Sequence, residues 1–487
     1  MQMIHQAPLA ALGLGAAFTV VYGAANPMAA FAEVREVEAE GYYRMGDGME
    51  ERMDIAKQRA IEDATQRAAE KAGVFVESFS ATYMGEITRD EVRAIAATVL
   101  DVKEPVKVIP EVFADGQAIR YHAYVTAVVD TANIEKMLGK NGDDKAEMVR
   151  RNNEIEEELA KVHAEIERLK TEHQRATEAE KQRINEEVKQ NERRFEAVEW
   201  YKKGSAHIDT DEYEQAIECF KRAIEIDPSY AAPWGGMAMA YGMLQRYDEA
   251  EKACRRGIEI DPNDLASWVN LGQVYNILGK PEQSMECSQK AIDIDPTVAT
   301  PWNNLGAAYY RMGNYAKAEE CYKKATQLNP NSYHAWNNLG ILYSDGIHDN
   351  ARAIECMKKA SENIGAHKSE NATVWSNIGF CYVETKAFTD AADAFHRALA
   401  FDADHEYANL GMGIAYDYLE KYDEAVVFLR KAVQRMPQSA FAWGWLADAY
   451  RWNGDYENAL AAYDRAIELN PDEEKYQEAR ADVAAKL

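Results

Sequence analysis

The chain has 487 residues, enough for several independently organised segments, and sets 82 acidic against 55 basic side chains for a net charge of −27. A field of that sign repels phosphate backbones and anionic membranes, which argues against nucleic-acid binding and favours a neutral or basic partner segment. No phosphate loop, HExxH, GxSxG or Rossmann glycine pattern occurs, and the ten histidines are scattered, so no catalytic residue, cofactor or metal cluster is expected.

Residues 1–32 contain no charged side chain. An apolar run from Ala7 to Tyr22 is broken at Pro27, and Ala30-Phe31-Ala32 forms a small-residue cleavage pattern before Glu33. The run is shorter than the roughly 20 residues that cross a bilayer, so it reads as a secretory signal peptide cleaved after Ala32. No Lys or Arg precedes the run, which leaves an uncleaved anchor as the alternative. Either way the expected location is the periplasm or cell envelope.

Residues 33–135 read as a small α+β domain. Apolar residues alternate over Val34–Met45 as in a half-buried strand. Ala56, Ala60, Ala64, Ala68 and Ala72 then fall every four residues, and Gly73 stops that helix. Val74–Thr82 is expected to be a strand, and Thr88-Arg-Asp-Glu91 is a capping box for a helix through Leu100. Val106–Phe113 and Ile119–Val129 flank Asp115-Gly116, a hairpin signal. The phrase Ala56-Lys-Gln-Arg-Ala60 through Ala72-Gly-Val-Phe-Val-Glu-Ser78 resembles the N-terminal domain of flagellar assembly protein T and of small surface lipoproteins. That resemblance implies an envelope assembly role and no reaction.

Residues 140–196 are almost entirely charged or amide. Ile155, Leu159, Val162, Ile166 and Leu169, then Ile184, Val188, Phe195 and Val198, are spaced by threes and fours with a slip between the blocks. The pattern is either a coiled-coil seam that permits homo-oligomers or a long solvated spacer helix.

Residues 197–472 repeat. Trp200, Trp234, Trp268, Trp302 and Trp336 recur every 34 residues, and Trp375 and Trp443 continue the column after an insertion and a skipped position, Asn409. The blocks open at Ala197, Ala231, Leu265, Ala299, Tyr333, Ala372, Glu406 and Ala440. One small-residue column runs Gly204, Ala238, Gly272, Gly306, Gly340, Gly379, Gly413, Ala447, and a second runs through Ala216, Ala318 and Ala459. A block such as Trp302-x-x-Leu305-Gly306-x-x-Tyr309, then Tyr315, Ala318, Tyr322, Ala325 and Pro330, resembles the tetratricopeptide (TPR) repeat. The resemblance implies a mainly α protein, a right-handed solenoid of about eight helical hairpins whose tryptophans pack between repeats. Residues 473–487 read as a polar capping helix. Repeat 5 carries extra residues in 344–350 and 364–370 and is expected to bend or bulge; repeat 7, with Asn409 for tryptophan, is expected to pack less tightly.

Asn270, Asn304, Asn338 and Asn377 share one helix A position that faces the concave groove in TPR proteins. Amides both donate and accept, so this column suits an extended peptide backbone, as in O-linked N-acetylglucosamine transferase; it is equally ordinary repeat wording. Tyr310, His334 and Trp445 are candidate side-chain pockets. The Lys and Arg of the carboxylate clamp of heat-shock-protein cochaperones are replaced by Thr300 and Asn304, or by His334 and Asn338. All six cysteines lie in the repeats without a CxxC pair and read as small apolar fillers. The expected function is therefore an exported, non-enzymatic scaffold that binds proteins or peptides in its groove. The alternative is an anchored or oligomeric envelope component in which the repeats are a spacer.

Overall fold

The computed structural model describes residues 34–45, 60–61, 64–73, 76, 89–102, 106–112, 119–138, 140, 142–365 and 368–487. The signal-type segment lies outside them. The described residues are mainly helical, and the chain divides into two compact units, one comprising Phe18–Lys140 with Asp144–Val274 and the other chiefly Tyr275–Leu487.

In the first unit, strand β1 (Val34–Met45) pairs antiparallel along its whole length with β4 (Ile119–Asp130), Val34 opposite Asp130 and Met45 opposite Ile119. Two shorter strands, β2 (Leu100–Val102) and β3 (Lys107–Val112), also pair antiparallel with β4, which is the central strand. β3 and β4 are the two arms of the predicted hairpin; its Asp115-Gly116 turn and Thr88 of the capping box lie outside the described residues. Ala60, Ala64 and Ala68 are fully buried and pack with Ala123, Val125 and Ala127 of β4. Methyl side chains at a four-residue spacing let that helix lie close on the sheet. Of the expected strand Val74–Thr82 only Val76 is described, and it is helical. β2 is the strand that local sequence does not announce. Leu100 leaves the helix Arg89–Val99 because it finds Val129 of β4 opposite, a pairing set by tertiary contact alone.

The charged segment is two helices, Gly142–Arg175 and Glu178–Asp209. Thr177 opens the second with a capping box, its N–H donating to Glu180 Oε2 at 2.8 Å. There the chain reverses, and the helices run antiparallel: Arg194 meets Glu158 at 3.0 Å and Arg183 meets Glu172 at 3.3 Å. Ile155, Val162, Ile166, Leu169, Ile184 and Val198 are buried. The apparent slip in the seam is thus a turn, and the two halves of the seam face each other within one chain. The second helix runs unbroken into repeat 1 and supplies Trp200 and Gly204.

Eight hairpins follow. Glu178–Asp209 ends as helix A of repeat 1 and pairs with Tyr213–Ile226; repeat 2 is Ala232–Met243 with Tyr247–Ile260, and repeat 3 is Leu265–Ile277 with Pro281–Ile294. Repeat 4 is Ala299–Arg311 with Tyr315–Leu328, and repeat 5 is Tyr333–Ile341 with Asn350–Asn363. Repeat 6 is Lys368–Glu384 with Phe388–Phe401, starting four residues before Ala372; repeat 7 is Glu406–Tyr418 with Tyr422–Arg435. Repeat 8 is Ala440–Trp452 with Tyr456–Leu469, and Glu474–Ala484 closes the array.

Each hairpin turns through one residue with positive φ: Asp211, Gln245, Gly279, Gly313, His348, Lys386, Glu420 and Gly454. Helix A ends there with a bond from the residue after the left-handed one, such as Asn314 N–H to Tyr309 O at 2.9 Å. In repeat 5 the extra residue is absorbed as a π-turn, Leu342–Gly346, with Ile347 N–H donating to Leu342 O at 3.0 Å. A π-turn takes one more residue than an α-turn, so the insertion widens the helix end and leaves the next helix to start in the ordinary way.

Candidate docking face of the repeats

In repeats 1, 2 and 4 to 7 a large helix B side chain seats against a helix A glycine. A Cβ added at Gly379 or Gly411 would lie 2.5 Å or 2.1 Å from the Phe395 ring, and one at Gly306 would lie 2.7 Å from Tyr322. Both rings are fully buried, with Gly379 and Gly411 belonging to successive A helices. Phe220 sits in the same way against Gly204 and Gly236. The rings lock neighbouring hairpins at one spacing.

The tryptophans are half-buried and do more than fill space. The indole N–H of Trp268 donates to Pro262 O at 2.9 Å, of Trp302 to Pro296 O at 3.1 Å, of Trp336 to Pro330 O at 2.8 Å and of Trp443 to Pro437 O at 3.1 Å. Each bond ties a helix A back to the turn that ended the preceding helix B. At the skipped position the Asn409 amide donates to Ala403 O, also six residues back, at 3.1 Å. Repeat 7 therefore keeps the clamp that the missing tryptophan seemed to remove. The indole nitrogen of Trp234 is buried without a hydrogen bond; Trp200 and Trp375 lie under cations, Lys203 at 4.7 Å and Arg397 at 4.6 Å.

The asparagine column divides. Asn270 Nδ2 donates to Gly235 O at 3.0 Å and Asn338 Nδ2 to Asn303 Oδ1 at 3.0 Å, so both link consecutive A helices. Asn304 and Asn377 are buried, which corrects the expectation that these side chains face solvent. Buried polar atoms without a hydrogen bond nevertheless occur in the column and beside it: Asn377 Nδ2, Ser376 Oγ and Asn337 Oδ1. Tyr310 stacks obliquely on Tyr315 at 5.7 Å, and His334 lies on Tyr333 at 3.9 Å.

Sequence reading missed the character of repeats 6 to 8. Phe388 stacks on Tyr418 at 4.4 Å, Tyr418 meets the edge of Trp445 at 5.6 Å, and Trp445 meets Phe441 at 6.2 Å. Tyr418 remains 41% exposed and Trp452 53%. Asp417 sits beside that row with Oδ1 unbonded, and burial together with the nearby Asp448 carboxylate pushes its pKa up to about 7. Asp448 accepts from Tyr463 Oη at 2.5 Å, and burial raises its pKa too. The row was not legible because its members come from different positions of the repeat.

In the first unit the A helices of repeats 1 and 2 carry the helix Gly142–Arg175. The Arg151 guanidinium is ion-paired with Asp209 of repeat 1 and lies 3.5 Å from Met239 Sδ of repeat 2. Arg194 spans Glu158 and Asp227, at 3.0 and 3.1 Å, with its guanidinium 3.7 Å above Tyr230. Lys136 and Lys140 reach Asp211 at 3.0 and 3.7 Å.

The six cysteines are free thiols, and all but Cys219 are buried; burial pushes Cys321 and Cys356 up to about 11. Among the described residues there is no group of three or more His, Cys, Asp or Glu that could hold a metal ion, and no helix long and apolar enough to cross a membrane.

Tetratricopeptide-repeat family models match residues 207–273 and 419–483, 299–332 and 321–358, and a TPR-repeat model matches 272–313. The chain carries TPR repeats. Superkiller protein 3 of Schizosaccharomyces pombe is 27% identical over 142 residues, 27% of this chain and 10% of that protein. Tetratricopeptide repeat protein 37 of Xenopus laevis is 28% identical over 136 residues, 27% of this chain and 8% of that protein. The match thus spans about a tenth of the length of these relatives. Among solved structures, a chain of the APC/C hetero-tetramer Cut9–Hcn1 aligns over 59% of this chain and 76% of its own, at 13% identity and a TM-score of 0.40. TPR proteins are in general protein–protein interaction scaffolds, and the families matched are typically non-enzymatic.

Proposed function

We propose that this TPR protein is an exported scaffold of the cell envelope that docks a neutral or basic, extended segment of a partner protein along its A helices. The observation that carries the reading is the aromatic row Phe388–Tyr418–Trp445–Phe441 with Asp417 and Asp448 beside it, in a chain of net charge −27. Aromatic faces and carboxylates together suit a Lys or Arg side chain. Export rests on Ala30-Phe31-Ala32 after a short apolar run, and envelope assembly on the resemblance of residues 56–78 to the flagellar assembly protein T domain.

The test uses the full chain and two extended peptides of equal length, one with alternating lysines and one with alternating glutamates. The lysine peptide should bind, binding should weaken with salt, and Tyr418→Ala with Trp445→Ala should cost about tenfold, the scale of two exposed cation–π contacts. Equal binding of both peptides, or no effect of the double substitution, contradicts the reading. Intact mass of the envelope fraction decides export: a chain beginning at Glu33 is expected, and retained Met1 in the membrane pellet overturns cleavage.

A further inference from the structure

Asp417 directly precedes Tyr418 on helix A of repeat 7, and Asp448 follows Trp445 by three residues on helix A of repeat 8, so both carboxylates belong to the neighbourhood of the aromatic row. Asp417 Oδ1 is buried and without a hydrogen bond, whereas Asp448 accepts from Tyr463 Oη at 2.5 Å. The cations nearby are turned elsewhere. Arg451 pairs with Asp482 at 3.3 Å and acts on Asp448, while Lys475 of the closing helix acts on both carboxylates only at longer range. The other titratable neighbours are phenols: Tyr418 and Tyr422 feel Asp417, Tyr463 and Tyr476 feel Asp448, and Glu420 and Glu473 add to the acidic side. Burial and these carboxylates raise the phenols, which stay neutral near pH 7. Burial, and then the Asp448 charge, brings Asp417 to about 7, so at neutral pH it is only partly ionised.

We infer that docking of a basic partner side chain on the Tyr418 and Trp445 rings is coupled to release of one proton from the Asp417–Asp448 pair, so that the late face takes a cation when the pair is fully ionised and gives it up when the pair is protonated. This rests on the proposed docking of a basic segment and adds its regulation. Two carboxylates with only distant cations resist joint ionisation, which keeps the proton on while the face is empty. A partner ammonium or guanidinium supplies the missing compensation. The Asp417 carboxyl then gives its proton to water, the partner's cation keeps its own protons, and no bond but that O–H changes. The same coupling that lowers the Asp417 pKa strengthens the cation's binding, so affinity is complete above about 7 and falls as pH drops through it. An apolar side chain on the rings does the reverse: it removes water and brings no charge, so it holds the proton on. The direction of the pH dependence therefore separates basic from apolar partners.

The test uses the full chain, the alternating-lysine peptide, and the same peptide with norleucine for lysine, which keeps the apolar stem and deletes the ammonium. Each is titrated calorimetrically at pH 6 and pH 8, in two buffers of different ionisation heat, so that the difference in heat counts protons. The lysine peptide should bind about tenfold more tightly at pH 8 than at pH 6, releasing about one proton at pH 6 and about a tenth of one at pH 8. The norleucine peptide should bind no more tightly at pH 8. Asp417→Asn should abolish the proton release and flatten the pH dependence. The histidines titrate in the same range but are common to parent and variant, so the difference between the two isolates Asp417. Binding of the lysine peptide without proton release at pH 6, a pH dependence that survives Asp417→Asn, or a norleucine peptide that gains as much at pH 8 each overturns the proposal and leaves the docking reading standing. A lysine peptide that binds at neither pH overturns the docking reading, and the proposal with it.

Discussion

In repeat 1, Asp209 lies under the guanidinium of Arg151, supplied by the chain's own hairpin, and both are almost fully buried. In repeats 7 and 8, Asp417 keeps one carboxylate oxygen without a hydrogen bond, and Asp448 leans on the neutral Tyr463 hydroxyl. Both pairs of repeats obey the same packing grammar, Phe220 between Gly204 and Gly236 in one, Leu429 against Gly413 in the other. The difference teaches that the repeat columns fix spacing, while the remaining helix A positions decide whether a carboxylate is paired directly with a cation, as Asp209 is, or feels cations only at longer range, as Asp417 and Asp448 feel Lys475.

The largest effect should come from the shared grammar. Phe395→Ala empties a fully buried site between two A helices and should cost about 3–5 kcal/mol in repeats 6 and 7, read by hydrogen exchange or by denaturant melts. Phe220→Ala should cost a similar amount in repeats 1 and 2, and a much smaller loss at either ring would break the claim that both ends share one packing rule.

Charge compensation should separate the two ends next. The Asp417 pKa is raised in the folded state, so its contribution to stability is fully present below the unfolded value near 3.8 and is lost as pH rises through about 7. Asp417→Asn should therefore stabilise repeats 7 and 8 at pH 8 by on the order of 1–2 kcal/mol, discounted for its partial exposure, and give no gain below pH 4. Paired melts at the two pH values check this; a pH-independent effect would mean that the carboxylate is compensated after all.

Two smaller effects sharpen the junctions. Trp302→Phe keeps the ring but deletes the donor to Pro296 O, and should cost about 0.5–1.5 kcal/mol in thermal melts. His405 Nδ1 accepts the Ala408 N–H at 3.2 Å as helix cap of repeat 7, and burial lowers its pKa despite Glu406 and Asp402 nearby. Its neutral form is the folded one, so stability is complete above the unfolded value of 6.5 and falls as pH drops below it. His405→Asn retains a cap acceptor and should flatten that acid-side loss, visible as a smaller shift in melting between pH 7 and pH 5.

Much of this architecture was legible because a 34-residue period superposes the same demand again and again: Gly306 must be small, Tyr322 must fill, Pro330 must stop a helix. What stayed hidden lacked repetition or local signature. Gln245, Lys386 and Glu420 take positive φ where glycine would have advertised the turn, because the surrounding hairpin holds them there. The reversal at Ala176–Thr177 looked like a heptad slip, since a seam that folds on itself leaves the same three-four spacing as one that pairs with a second copy. Asn409 looked like a loss, yet its amide reaches Ala403 O as an indole would reach proline. The asparagine column was seen, but spacing alone does not tell an amide that links neighbouring helices, as Asn270 and Asn338 do, from one buried and unbonded, as Asn377 is. The match between Arg151 and Asp209 spans 58 residues and has no periodicity to betray it.

The central contrast is between a covered early face and an uncovered late one, and hydroxyl-radical footprinting of the full chain reads both in a single experiment. Tyr418 and Trp452 should be modified quickly, while Tyr201, 7% exposed and close to Arg151, should react slowly until Arg151→Glu breaks the pair with Asp209. If Tyr201 reacts in the parent chain as fast as Tyr418, the early face is not covered, and the account is contradicted.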